Sequence, residues 1–235
     1  MREPEPGSRW SGAYRSAAVV AIVIAALLVA EIAVFAAFPR PPSALAHFEL
    51  FQRSPLVGLL TLDLLGMVSY LLFVPVMLGV YLAVHRTSES LSAVAAGLFV
   101  IGVADFLATN TAFPVMALSE QYASAGTEAE RLAAIAAGEA MFALFNENAF
   151  LVSYVIVSAS WAMLGVAMLR SSGFGRGTAY AAILAGASGI VAVLLEHLSS
   201  DLVAVAIPIY FAAIVFLIAW VVLIARPLWR LGSSG

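Results

Sequence analysis

Six apolar runs dominate this chain, beginning near Ser16, Pro55, Leu91, Ala149, Gly177 and Leu202. Each is long enough to cross a hydrocarbon core of about 30 Å, which takes roughly 20 helical residues. The pattern predicts spans over 16–38, 55–84, 91–113, 149–169, 177–198 and 202–224, separated by polar or proline-rich breaks. Pro39-Arg40-Pro41-Pro42 stops the first run, because consecutive prolines cannot continue a helix. Pro114 is expected to end the third, and the Arg170–Gly177 stretch makes a flexible turn after the fourth. Pro75 predicts a tilt or kink in the overlong second span.

Two connections carry structure of their own. Residues 43–52 place Leu45, Phe48 and Phe51 on one side at helical spacing, as expected of a helix lying on the outer membrane interface. The 114–148 segment is the largest piece that does not span, and Thr127 to Glu147 within it reads as a helix on the outer surface. That stretch carries Glu139 and is short for a crossing; making it a seventh span would invert everything after it. Residues 1–15 read as a cytoplasmic tail, 231–235 as a second tail, and 16–230 as a single transmembrane bundle.

Composition fits this picture: 63% hydrophobic against 11% charged residues cannot supply the wetted surface of a soluble domain. The absence of cysteine excludes disulfides, thiolate ligands and cysteine nucleophiles. All 11 basic residues are arginine, so the chain cannot form a lysine Schiff base with retinal or any other carbonyl. With an even number of spans and the N-terminus inside, Arg2, Arg9, Arg15, Arg86, Arg170, Arg176, Arg226 and Arg230 fall in the cytoplasm. Only Arg40, Arg53 and Arg131 fall outside. The expected fold is an all-α polytopic bundle of six transmembrane helices in a bacterial plasma membrane. Both termini are cytoplasmic, and an outer-surface helix lies between spans three and four.

In that orientation Glu31, Asp63, Asp105 and Glu196 lie in the outer half of the bilayer, where an ionisable group must face a bundle interior or a water-filled cavity. Asp63 shares a helical face with Gly66 and Tyr70; Asp105 has Gly102 and Thr109 at helical spacing, close to Asn110. Glu196 follows Gly186 and Gly189 on one face, small residues that admit a close partner helix, and His197 is turned about 100° from it. Glu139 and Glu147 share a face of the outer helix, with Asn146 and Asn148 where it meets span four. The ligand-binding set is therefore Glu31, Asp63, Tyr70, Asp105, Asn110, Glu139, Asn146, Glu147, Glu196 and His197, with Asp63, Asp105 and Glu196 as catalytic candidates.

Three histidines without an H-x-x-x-H or H-E-x-x-H spacing give no metal motif, and none for a cofactor, a serine nucleophile, a phosphate loop or nucleic acid is present. Two readings remain. In one, an outward-facing, acid-lined pocket binds a small cationic or amphiphilic, lipid-like molecule, as a transporter or accessory subunit. In the other, a protonated Asp or Glu serves as general acid on a lipid or isoprenoid substrate. The two halves show no repeat in register, which argues against alternating access. Small residues on every span leave the oligomeric state open; membrane lipids are the expected surroundings.

Leu62-Asp63-Leu64-Leu65 early in span two, Met168-Leu169-Arg170-Ser171 closing span four, the Gly173-Phe174-Gly175-Arg176 turn and the order of spans together resemble a family. It is that of the bacterial six-span membrane proteins called domain of unknown function 4386. The resemblance covers about Val19 to Leu223. It implies an integral membrane protein of bacteria and supplies no catalytic residues.

Overall fold

In the computed structural model, residues 10–233 are described. The predicted tails at residues 1–9 and 234–235 lie outside them. Ten α-helices form, and no strand is found among the described residues. They are α1 (Ser11–Ala37), α2 (Ala44–Arg53), α3 (Pro55–Thr61), α4 (Leu64–Val84), α5 (Glu89–Thr109), α6 (Ala112–Ser124), α7 (Glu128–Leu144), α8 (Phe150–Leu169), α9 (Arg176–Leu198) and α10 (Val203–Ser233). A π-helical turn, Phe145–Ala149, joins α7 to α8, and a 3-10 turn, Ser200–Leu202, leads into α10.

Six helical stretches are long and apolar enough to cross a membrane, so the chain is a multi-pass membrane protein. Their packing closes a ring in which α1, α4, α5, α8, α9 and α10 each touch the next and α10 returns to α1. One end of the ring carries Arg15, Arg86, Arg170, Arg176, Arg226 and Arg230. There α1 is clasped to α10, Arg15 Nε donating to the Gly232 carbonyl at 2.9 Å. The other end carries a lobe built from α2, α3, α6 and α7, called the cap end below.

Aromatic side chains fill the ring's axis. Phe73 on α4 stacks on Trp220 of α10 at 6.3 Å between ring centroids and lies 5.7 Å from Trp161 of α8. Trp220 is fully buried, and Phe73 and Trp161 nearly so. Below this plug toward the arginine end the interior is close-packed, with Ile24, Val76, Val80, Leu164 and Ile224 fully buried. Toward the cap end α1 changes character. Its buried residues stop at Ala25, and the turns beyond carry none.

Several boundaries differ from the expected ones. Helix α1 already starts at Ser11 and α10 continues to Ser233, so the described parts of both expected tails are helical. The second run is two helices, α3 and α4, broken at Leu62 and Asp63. The third run ends at Thr109, before Pro114. Pro114 instead occupies the first turn of α6, where its missing N–H has no intrahelical partner to lose. The 114–148 segment holds two helices, and α7 runs through the π-turn into α8 as one rod of 42 residues. At 1.5 Å per residue the rod is roughly 60 Å long, about twice the apolar core, so it projects well beyond one membrane face.

Helix α2 does not lie open at an interface. Its apolar stripe is taken up by protein: Phe48 and Phe51 are buried with Val115 of α6 and Ala134 of α7. Ser119 ties the same seam, donating to the Phe48 carbonyl at 3.0 Å and accepting from Gln52 Nε2 at 2.9 Å.

The α8–α9 seam depends on a missing side chain. A Cβ on Gly186 would overlap the Ser158 carbonyl and fall 2.8 Å from the Ala162 nitrogen, both backbone atoms of α8. Replacing Gly186 by Leu is expected to lower stability by about 1–3 kcal/mol. The same change at Gly97, which has nothing within 4 Å of an added Cβ, should leave it nearly unchanged. Thermal melting of both variants in detergent measures the difference.

Candidate functional site

The break between α3 and α4 sets the site. Ser54 caps α3, its Oγ accepting from the Val57 N–H at 3.5 Å, and Pro55 occupies the first helical position. The helix ends after Thr61, where Asp63 takes a left-handed conformation, φ 71° and ψ 34°. It is the one non-glycine residue with positive φ among the described residues. Aspartate tolerates this region better than most residues, and a left-handed residue is the common way to stop a helix. Asp63 thereby closes α3 and begins α4, and its carboxyl group is turned back over the first turn of α4. A Cβ on residue 66 would overlap that carboxyl group, which gives Gly66 its place.

Two side chains from elsewhere take the carbonyls freed by the break. Arg40 Nε donates to Thr61 O and Asn110 Nδ2 to Leu62 O, both at 3.4 Å. Asn110 Oδ1 in turn accepts from the Ala112 N–H at 2.9 Å, so this one amide also starts α6.

Opposite Asp63 stands Glu31, on the loosely packed half of α1. The two carboxyl groups lie within hydrogen-bonding reach of each other, a contact that needs a proton on at least one of them. They line a cavity of about 240 Å3 enclosed by α1, α4, α8 and α10, above the Phe73–Trp161 plug. Seven of its sixteen lining residues are aromatic, Phe35, Tyr70, Phe150, Tyr154 and Tyr210 among them. Tyr70 is braced by Phe106 at 4.6 Å, and Tyr154 lies between Phe150 and Tyr210 at 5.3 and 5.9 Å. Three polar atoms of the lining are buried without a hydrogen-bond partner: Asp63 Oδ1, Ser69 Oγ and Trp161 Nε1. Ser69 and Trp161 are each only 3% exposed. Orphaned groups of this kind cost about 1–3 kcal/mol each, and a polar ligand in the cavity recovers that cost.

A second cavity, of about 270 Å3, lies in the cap and is lined by Ser43, His47, Thr111, Glu139, Phe142 and Asn146 among others. Arg40 lines both cavities. Glu139 Oε1 accepts from the Ala44 N–H at 2.7 Å, a carboxylate at the positive end of α2. His47 is 2% exposed, and its Nδ1 lies 3.0 Å from the Ser43 carbonyl oxygen. A carbonyl only accepts, so Nδ1 carries the hydrogen and the partnerless Nε2 of a neutral ring presents its lone pair. Burial pushes the His47 pKa below the usual histidine value of 6.5; its bond to Ser43 opposes this in part.

The predicted residues are thus distributed over several places. Glu31, Asp63 and Tyr70 share the aromatic cavity. Glu139 and Asn146 line the cap cavity, and Asn110 fastens the break. Glu196 does not line the aromatic cavity, but accepts from the hydroxyl of Tyr210, which does, at 2.7 Å. His197 stands next to it, with Nε2 3.0 Å from the Asn146 carbonyl oxygen. Glu147 is exposed on the π-turn and lines neither cavity. Asp105 lies on the side of α5 that Gly102 turns to Val157 of α8, away from the cavity wall. Its Oδ2 is buried without a partner, and Thr109 bonds its backbone carbonyl, not its carboxyl. The predicted common chamber for all the acids is therefore a chamber for two of them. Among the described residues no three His, Asp or Glu side chains come together as a metal site would need.

Sequence reasoning passed over Arg40, Ser69, Tyr154, Trp161 and Tyr210. Trp161 carried a usable signal: it falls in the middle of its span, whereas membrane tryptophans concentrate at the interfaces.

Two measurements probe the local account. Asp63→Ala must hold a left-handed backbone that glycine adopts freely, so it should be less stable than Asp63→Gly by roughly 1 kcal/mol in thermal melts. Because folded His47 holds a proton less readily than unfolded His47, stability is full above pH 6.5 and falls as pH drops from there through the lowered folded value. Melting temperatures between pH 7.5 and 5 should fall less steeply for His47→Gln than for the unaltered chain.

No family model, no curated protein and no solved structure matches the chain.

Proposed function

We propose that this protein binds a small organic cation in the aromatic cavity at the cap end, and that it does so as an integral component of a bacterial plasma membrane. The observation that carries the reading is the pairing of Glu31 with Asp63 inside a wall of aromatic rings. Carboxyl groups supply charge, and ring faces attract a cation within about 6 Å of their centroids, more strongly once water is excluded. A volume of about 240 Å3 is below the 300–1,000 Å3 usual for drug-sized ligands, so the fit is to a compact head such as a trialkylammonium group.

The arginine distribution supports an orientation with the cap end facing away from the cytoplasm. Of the nine arginines in the described residues, six lie at the opposite end. The α1 wall supports a ligand arriving from the bilayer as well as from water, because Ile32 lines the cavity and is 37% exposed on the outside of the bundle. These features suit a transporter or an accessory binding subunit. The resemblance to the domain of unknown function 4386 family is compatible with this proposal and adds no chemistry to it.

Binding of octyltrimethylammonium to purified protein in maltoside micelles tests the reading by calorimetry. Glu31→Gln and Asp63→Asn should each weaken it by tenfold or more with the melting temperature retained. Unchanged affinity in both variants would exclude the acid pair as the site. Conversion of added isoprenoid or phospholipid to a new species by the unaltered protein, and not by these variants, would transfer the pair to the general-acid reading instead.

A further inference from the structure

The aromatic cavity is not simply an anionic site, because a guanidinium stands at its entrance. Arg40 lines both the aromatic and the cap cavity and donates through Nε to Thr61 O, two residues before Asp63. The ion pairs found among the described residues are Arg53 with Glu49 and Arg131 with Glu128, so Arg40 has no carboxylate of its own. Its Nη groups make no hydrogen bond to the described residues, and the residue is exposed.

Glu31 and Asp63 supply acidic groups and Arg40 a permanent positive charge, so groups of both kinds line the same cavity. A simple cation entering this cavity passes a guanidinium of its own sign. A molecule with both charges meets an opposite partner at each end. Ser69 Oγ and Trp161 Nε1, donors buried in the wall without an acceptor, show that the polar lining has unmet capacity below Arg40.

We infer that the ligand is zwitterionic, an ammonium group joined by a short linker to a phosphate or carboxylate. The ammonium lies among the aromatic rings beside Glu31 and Asp63, and the anionic group lies against Arg40. This deepens the cation reading and rests on it. The chemistry occurs in two sources, the head group of a zwitterionic phospholipid and a free zwitterion of the same structure. The unburied half of α1 leaves room for acyl chains to remain in the bilayer while a head group enters.

Three probes separate the possibilities, titrated into protein in phospholipid-free maltoside micelles: choline, glycerophosphocholine and dihexanoyl phosphatidylcholine. The inference expects glycerophosphocholine to bind at least tenfold tighter than choline. Arg40→Gln should abolish that preference, weakening glycerophosphocholine at least tenfold more than choline, and Arg40→Lys should keep part of it. A melting temperature for each variant shows that the fold is retained. Tighter binding of the dihexanoyl lipid than of glycerophosphocholine supports the inference with a lipid source, and equal binding supports it with a soluble one. Equal affinity for choline and glycerophosphocholine in the unaltered chain, or a preference that survives Arg40→Gln, overturns the inference and leaves the cation reading standing. Failure of all three probes to bind would remove both.

Discussion

A buried backbone turn at the cap end of the α4 span is the constraint on which the rest of this molecule depends. Away from water every peptide group must find a partner, so an interrupted helix is tolerated only where protein supplies what the helix no longer does. At Leu62 and Asp63 the supply is specific. Arg40 takes the Thr61 carbonyl and Asn110 takes the Leu62 carbonyl, one from the loop after α1 and one from the end of α5. The left-handed residue so held presents its carboxyl group to Glu31 instead of to lipid. The acid pair, the position of Arg40 above it and the need for Gly66 all follow from that turn.

The cap lobe serves the same end. Helices α2, α6 and α7 bury their apolar faces on one another, and Asn110 joins this lobe to the break by starting α6 with its other amide atom. Below, Phe73, Trp161 and Trp220 close the ring's axis. The cavity is therefore bounded by a hydrogen-bonded roof and an aromatic floor, while its α1 wall is only loosely packed. The cavity is lined by the left-handed residue Asp63 and by three of the eight partnerless buried polar atoms among the described residues, Asp63 Oδ1, Ser69 Oγ and Trp161 Nε1. Such concentration is expected of a site kept ready for a ligand at some cost to stability.

The spans were legible because the bilayer imposes a length that few other structures require. Helix endings were less so, and for identifiable reasons. Pro114 fits the start of a helix as well as its end, and the amphipathic face of α2 is the same pattern whether lipid or Val115 and Ala134 cover it. Glu31 and Asp63 could each be suspected from their apolar surroundings, but no spacing rule connects residues on different helices. Arg40 was read for topology alone, as one of the few arginines on its side. Tyr154 and Tyr210 resemble ordinary membrane aromatics until the fold places them on one wall.

The chain's lack of cysteine makes the central claim directly measurable. In the double variant Glu31→Cys, Asp63→Cys, a short bifunctional thiol reagent should join the two positions rapidly in native membranes, read after proteolysis between α1 and α4. Glu31→Cys paired with Asp105→Cys should remain unjoined. Equal reaction of the two pairs, or none at 31 and 63, would contradict the turn, the pair and the cavity together.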